Sequence, residues 1–301
     1  MDQTRRLYKT DLTHQQWAVL GPLLEVMCPP KERGKPRKVD LREVCNTILY
    51  QARTGCQWDM LPHDLLPKST VYEYFARWRD DGTLDAINRS LVELIRIADT
   101  NSDGRPRDGS PSAAVIDSQS VESTQACDDR GYDAGKKITG RKRHIAVDTL
   151  GLLLAARVTV GSVQDSDAAE LLVDQLTIER QENLEVVWAD GGYHRHKLYD
   201  YIESHRSIYW ALEIVKRSDK IKGFILLPKR WVVERTFAWL DRWRRLSKDY
   251  ERRSVSSEAW IKIGSIGRML RFIAPPPGIA AFKYRKNATQ TDAEAPIAII
   301  G

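Results

Sequence analysis

The 301-residue sequence predicts an α/β protein, with a mixed sheet and interleaved helices preceded by an all-α, helix-turn-helix-like N-terminal domain. Three observations carry that expectation. Apolar residues recur at helical spacing from Leu12 to about Asp99. The stretch SDGRPRDGSP, between Asn101 and Ser112, has the Gly, Pro, Ser and charge content of a linker. Beyond it, short β-branched runs alternate with helical segments, which is the texture of a mixed sheet. The expected division is a helical domain over 1–100, a linker over 101–111, an α/β domain over 112–274 and a tail over 275–301.

In the first domain Trp17, Leu20, Leu23 and Leu24 share one face, and Thr13 stands where an N-cap is needed. The charged, proline-bearing turn CPPKERGKPRKVD ends that helix. A second helix runs from about Leu41 to Arg53 and stops at Gly55. A third opens at Ser69, carries Val71, Tyr72, Phe75 and Trp78, and stops at Gly82. Arg77 and Arg79 near its end suit a helix that reads nucleic acid, although a small helical bundle with aromatic core residues fits the same spacing.

In the second domain the expected order is three strands, helix, strand, helix, strand. The segments are AAVIDSQSV, RHIAVDT, LLLAARVTV, DAAELLVDQLTIERQ, LEVVWAD, HKLYDYIESH and SIYWALEIV. A turn at Thr149 to Gly151 joins the second and third strands as a hairpin, where Asp148 needs no chemical role. A long amphipathic helix is expected from Pro228 to about Leu246, and little fixed structure in the last fifteen or so residues.

Composition excludes several classes. An apolar fraction of 42% supports a folded core, and the formal charge of +6 is a modest excess of 47 basic over 41 acidic residues. Cys28, Cys45, Cys56 and Cys127 form no CxxC pair and no metal-ligand spacing with the six histidines, so free thiols in a reducing cytoplasm are expected. The N-terminal segment lacks a signal-peptide core and no apolar run approaches a membrane span.

The chemistry lies in the acidic residues. Asp117 follows Ala113–Ile116 late in an apolar strand, and Asp190 closes EVVWAD before Gly191 and Gly192. An ionised carboxylate in such a place is costly unless it is paired or bound to a cation. Each also has a bland reading as a strand-to-turn Asp. Glu234 lies in RWVVERTFAWL with Arg230 one turn before it, either beside a ligand or in a surface ion pair. Three carboxylates from two strands and a helix can hold two divalent ions about 3.5 to 4 Å apart for phosphodiester attack. The cluster GKKITGRKRH supplies Lys137, Arg141, Lys142 and Arg143, read either as a protruding loop that neutralises a DNA backbone or as a merely solvated loop. His194 and His196 are read as solvated surface.

Taken in order, LTHQQWAVLGPLL, GCQWDMLPHDLLPKSTVYEYFARWRDDG, VIDSQSV, GRKRHIAVDTLGLLLAARVTVGSVQDSD, WADGGYHRHKL and RWVVERTFAWLDRWRRLSKDYE resemble the transposases of the bacterial insertion-sequence IS5 group, within the IS4-like DDE superfamily. The resemblance covers nearly the whole chain. It implies an RNase H-like core, a catalytic and metal-binding triad of Asp117, Asp190 and Glu234, and two Mg²⁺ or Mn²⁺ ions per site. It also implies cleavage and strand transfer at inverted-repeat ends by a homodimer on DNA, at the bacterial nucleoid, with no membrane and no small-molecule substrate. In the wider signature Arg230 and Glu234 fit, while Leu227 and Asp241 occupy a Tyr and a Lys position. Arg235, Arg244, Arg245 or Lys248 are the candidates to replace that cation. The 44 positions from Asp190 to Glu234 leave little room for an inserted domain. A nuclease that cleaves without joining, and a domesticated DNA-binding protein, are the alternative readings.

Overall fold

The computed structural model describes residues 5–30, 36–101, 104–178, 183–204, 210–215 and 230–276. Leu227 and the C-terminal tail from 277 onward lie outside the described residues. The expected helices form where their caps allow. Thr13 and Gln16 make a reciprocal capping box that starts α1 (His14–Met27). Asp40 accepts from the Arg42 N–H to start α2 (Leu41–Thr54), which ends at Gly55 in the left-handed conformation, φ 72°. Next come α3 (Lys68–Asp80) and α4 (Thr83–Ala98).

The sheet domain contains β1 (Ala113–Glu122), β2 (Gly131–Asp133), β3 (Ile138–Asp148), β4 (Leu153–Val160), α5 (Asp165–Ile178), β5 (Val186–Ala189), α6 (His196–Ser204) and β6 (Ala211–Ile214). Two helices follow, α7 (Trp231–Leu240) and α8 (Ser254–Ile273). β3 runs antiparallel to β1, β2 and β4, whereas β1, β5 and β6 are mutually parallel. The path across the sheet is β4-β3-β1-β5-β6, with β2 beside the first residues of β3. This is an RNase H-like order. Its centre is β1, where Ala114, Val115 and Ile116 are buried.

The core continues between the two parts of the chain. α8 returns from the far end to pack on α4 and β4, and the Phe75 ring of α3 stacks on Trp260 with centroids 4.8 Å apart. Lys262 of α8 pairs with Asp85 of α4 at 2.6 Å. The 112–274 segment therefore includes a helix that packs among the N-terminal ones.

The hairpin at Thr149–Gly151 forms as expected, and Asp148 organises it. Its Oδ1 accepts from the N–H groups of Leu150 and Leu152, and its Oδ2 pairs with Arg96 at 2.7 Å, all buried. Two expectations are corrected. The cluster GKKITGRKRH is not a solvated loop throughout, because β3 begins at Ile138 and carries Arg141, Lys142 and Arg143 into the interior. The helix expected to reach Leu246 stops at Leu240, and a short 3-10 turn over Arg244–Leu246 follows. That break leaves the Leu246 carbonyl to accept from Arg143 Nη1 at 2.6 Å.

Candidate active site

The parallel register sets the two aspartates side by side. Val115 of β1 lies opposite Trp188 of β5, so two residues further on Asp117 stands level with Asp190. β5 ends at Ala189, and β1 runs on past that end. Open α/β sheets bind ligands at such carboxyl ends of parallel strands.

Each carboxylate is used in the same way. Asp117 Oδ1 accepts from the Ser118 N–H at 2.8 Å, and Asp190 Oδ1 accepts from the Gly192 N–H at 2.8 Å in the 3-10 turn Gly191–Tyr193. Their Oδ2 atoms converge on a single nitrogen, Arg230 Nη2, at 3.6 Å each. Arg230 immediately precedes α7, which packs over β1 and β3, and Glu234 is exposed one turn later. Burial pushes the Asp117 carboxyl up to about 6; the Ser118 N–H and Arg230 pull against that, and the charges of Asp190 and Glu234 reinforce it. Asp190, Glu234 and Arg230 thus all act electrostatically on Asp117.

Among the described residues no group of three or more His, Cys, Asp or Glu side chains stands ready to hold a metal ion. Asp117 and Asp190 are brought together, and Glu234 stays at electrostatic range. The donor chemistry nevertheless fits a hard divalent cation, because two carboxylate oxygens already converge on one positive group. The Arg230 guanidinium stands in for that cation.

Three of the four candidate replacement cations are engaged elsewhere. Arg235 stacks over Trp231 and Trp239 at 4.2 and 4.4 Å and donates to the Leu150 carbonyl. Arg245 pairs with Glu251 and Lys248 with Glu122, whereas Arg244 is exposed. Asp241, at the position where the wider signature has Lys, accepts from Gln119, two residues along β1 from Asp117.

The expected DNA contacts divide in two. Lys137 is exposed at the tip of the β2–β3 hairpin with φ 57°, and Arg77 is exposed over the Tyr74 ring. Arg141, Lys142 and Arg143 are buried, with 0%, 8% and 1% exposure, and they do not face solvent. Arg141 pairs with Asp129 and Asp249 and donates to the Glu251 and Arg252 carbonyls. Lys142 meets Val163 O, Asp165 and Asp133. A buried cation survives only when it is matched this way. Arg79 is held by Asp80 and by Ser256 of α8.

One residue escaped the sequence reading. Tyr193 is fully buried three positions after Asp190, and its backbone N–H donates to the Asp190 carbonyl. Burial, with the charges of Asp117, Asp165 and Asp190, raises its phenol well above the ordinary value, so the ring is a neutral anchor for the Asp190 turn. Its signal was an aromatic residue closing DGGY.

The RNase H-like sheet thus sets Asp117 and Asp190 level beside each other, with Glu234 exposed on the helix packed over it. The family model described as "Transposase DDE domain" matches residues 108–266, and the chain belongs to that family. A second model, "Putative transposase of IS4/5 family", matches residues 12–88. Membership implies dependence on a divalent metal ion. The chain is 38% identical over 135 residues to the "Putative transposase for insertion sequence element IS402" of Burkholderia cepacia, an alignment spanning 42% of this chain and 60% of that protein. Among solved structures it is similar to a Mos1 transposase paired-end complex with the left transposon end (13% identity, TM-score 0.24, 81% of this chain and 80% of that one). A Mos1 mariner paired-end complex with Mn matches at 13% identity and TM-score 0.23, over 83% and 81% of the two chains.

Proposed function

We propose that the protein is a transposase that binds the terminal inverted repeats of an insertion sequence and catalyses metal-dependent DNA cleavage followed by strand transfer. The observation that carries this reading is the convergence of the Asp117 and Asp190 Oδ2 atoms on one cationic locus where β5 ends beside its parallel neighbour β1. Asp117, Asp190 and Glu234 are the residues to hold two Mg²⁺ or Mn²⁺ ions. Bound there, such ions supply Lewis acidity toward a phosphodiester and acidify an attacking water or 3′ hydroxyl.

The chain's own groups set the conditions. In the metal-free site Asp117 is half ionised near pH 6 and predominantly ionised only above about pH 7. Glu234 presents its carboxylate from the first turn of α7, and Arg230 from the residue before it is the group to hold a DNA phosphate. Lys137 and Arg77 are the exposed basic side chains, among those anticipated, to meet the DNA backbone. In this reading residues 1–100 bind DNA, 101–111 link, 112–274 carry catalysis and 275–301 form a tail. Two DNA ends need two active sites, so a homodimer on DNA at the nucleoid is the working form. Among the described residues no helix is long and apolar enough to cross a membrane.

Purified protein incubated with Mg²⁺ or Mn²⁺, target DNA and duplex carrying the repeats that flank its own coding sequence is expected to nick those ends and join them to target. Asp190→Ala should abolish both products while remaining folded. Absence of nicking by folded wild-type protein refutes the proposal, and nicking without joined product identifies a nuclease instead.

A further inference from the structure

The acidic locus already contains a cation belonging to the protein. Arg230 Nη2 lies 3.6 Å from Asp117 Oδ2 and 3.6 Å from Asp190 Oδ2, so one guanidinium nitrogen occupies the ground between the two oxygens that remain available. The other oxygen of each carboxylate is fixed to a backbone N–H, on Ser118 and on Gly192. Any ion that takes both Oδ2 atoms as ligands therefore meets the guanidinium charge at close range. Like charges at that separation repel strongly in a partly desolvated site.

The guanidinium is also lightly held. Its contacts to the carboxylates are longer than the 2.7 to 2.9 Å of a direct charge-assisted hydrogen bond, so the attraction is coulombic and not a two-pronged fork. Its buried Nε has no hydrogen-bond partner among the described residues. A phosphate with several acceptor oxygens offers a planar guanidinium better geometry than these two split contacts do.

We infer that Arg230 makes metal loading conditional on DNA: it is the counter-ion of Asp117 and Asp190 in the free protein, and a DNA phosphate draws it away to open the site to a divalent cation. This rests on the transposase reading for the nature of the DNA and deepens it by adding an order of events. Free protein binds the divalent ion weakly. DNA binding tightens the metal site, and by thermodynamic reciprocity the metal tightens DNA by the same factor. The same device keeps the DNA-free enzyme from carrying a loaded cleavage site.

The test is Mn²⁺ binding, read from the electron paramagnetic resonance of free Mn²⁺, on the full chain with and without duplex carrying its own flanking repeats. Asp190→Asn with duplex gives the background of Mn²⁺ bound by DNA alone. Wild-type protein is expected to bind Mn²⁺ on the order of tenfold more tightly with duplex than without. Arg230→Gln is expected to reach the tight value without duplex and to gain little on adding it, whereas Arg230→Lys, which keeps the charge, should keep the weak duplex-free binding of wild type. Thermal melting verifies that each variant is folded. Unchanged or weaker Mn²⁺ binding by DNA-free Arg230→Gln overturns the inference, as does wild-type affinity insensitive to duplex, which decides the matter even if that variant does not fold. If wild type binds no more Mn²⁺ than Asp190→Asn under any condition, the metal-site reading fails as well. Binding that requires Asp190 but ignores Arg230 sinks only the coupling.

Discussion

Asp117→Asn should make the metal-free protein more stable at neutral pH while removing an anionic ligand. Burial lifts the Asp117 carboxyl from 3.8 to about 6, and its side chain is only 17% exposed. A shift of about two units corresponds to roughly 3 kcal/mol. The sign follows from proton binding. Between about pH 4 and 6 the folded state holds a proton that the unfolded state has released, so wild type loses stability as pH rises through that window. Above about pH 7 the full penalty is present, and below about pH 4 it is absent. Asparagine does not titrate, and Arg230 keeps Asp190 as a partner. Urea unfolding in EDTA, run in parallel on both proteins, should show the variant's advantage growing from near zero at about pH 4 to at most roughly 3 kcal/mol at about pH 7.5. Other titrating groups are common to both proteins and cancel to first order in that difference. An advantage independent of pH, or a variant less stable at neutral pH, would refute the claim that desolvation dominates at this residue.

The other basic and titrating residues make separate predictions. Arg141→Met should cost about 3 to 5 kcal/mol in urea unfolding, because it leaves the buried Asp249 without its cation. Lys137→Ala should leave stability unchanged and lower the slope of log affinity for DNA against log salt by about one, as one lost phosphate contact requires. His144 is buried against Thr159, and desolvation pulls its pKa down to about 4. Its neutral form is therefore favoured by folding, and wild type should lose roughly 3 kcal/mol as pH falls from about 6.5 to about 4. His144→Gln should lack that acid-dependent component, and identical pH profiles for the two proteins would contradict the assignment.

The parts of the fold that were legible are those that local chemistry decides. Thr13 suits an N-cap, Gly55 can adopt the left-handed conformation at low cost, and β-branched runs form strands. The start of β3 was not legible, because ITGRKRH is polar and charged enough to resemble a surface loop. Its burial depends on anions from distant segments, including Asp129, Asp165 and Asp249, and no window around Arg141 reveals them. The early end of α7 has a similar origin, since a carbonyl just beyond it serves Arg143 on another strand. At the site, the sequence placed Asp117 late in one apolar strand and Asp190 at the end of another, whereas β1 runs on from Asp117 to Glu122. The sequence could not show that parallel pairing sets them level, nor that Arg230 would turn toward them rather than toward solvent.

Buried charge alone does not mark function in this chain, and the comparison of Asp148 with Asp117 shows what does. Both are aspartates that follow apolar strand residues, and in sequence both invite the same bland reading. Asp148 is fully buried with both oxygens engaged: one takes two backbone N–H groups and the other takes Arg96 at 2.7 Å. Nothing further can bind there without breaking structure. Asp117 and Asp190 each commit one oxygen to a backbone N–H and leave the other 3.6 Å from a shared guanidinium, an arrangement that a better cation can replace. The carboxylates whose hydrogen-bonding capacity the fold leaves unspent are those set at the open end of the sheet, where a ligand has room to complete them.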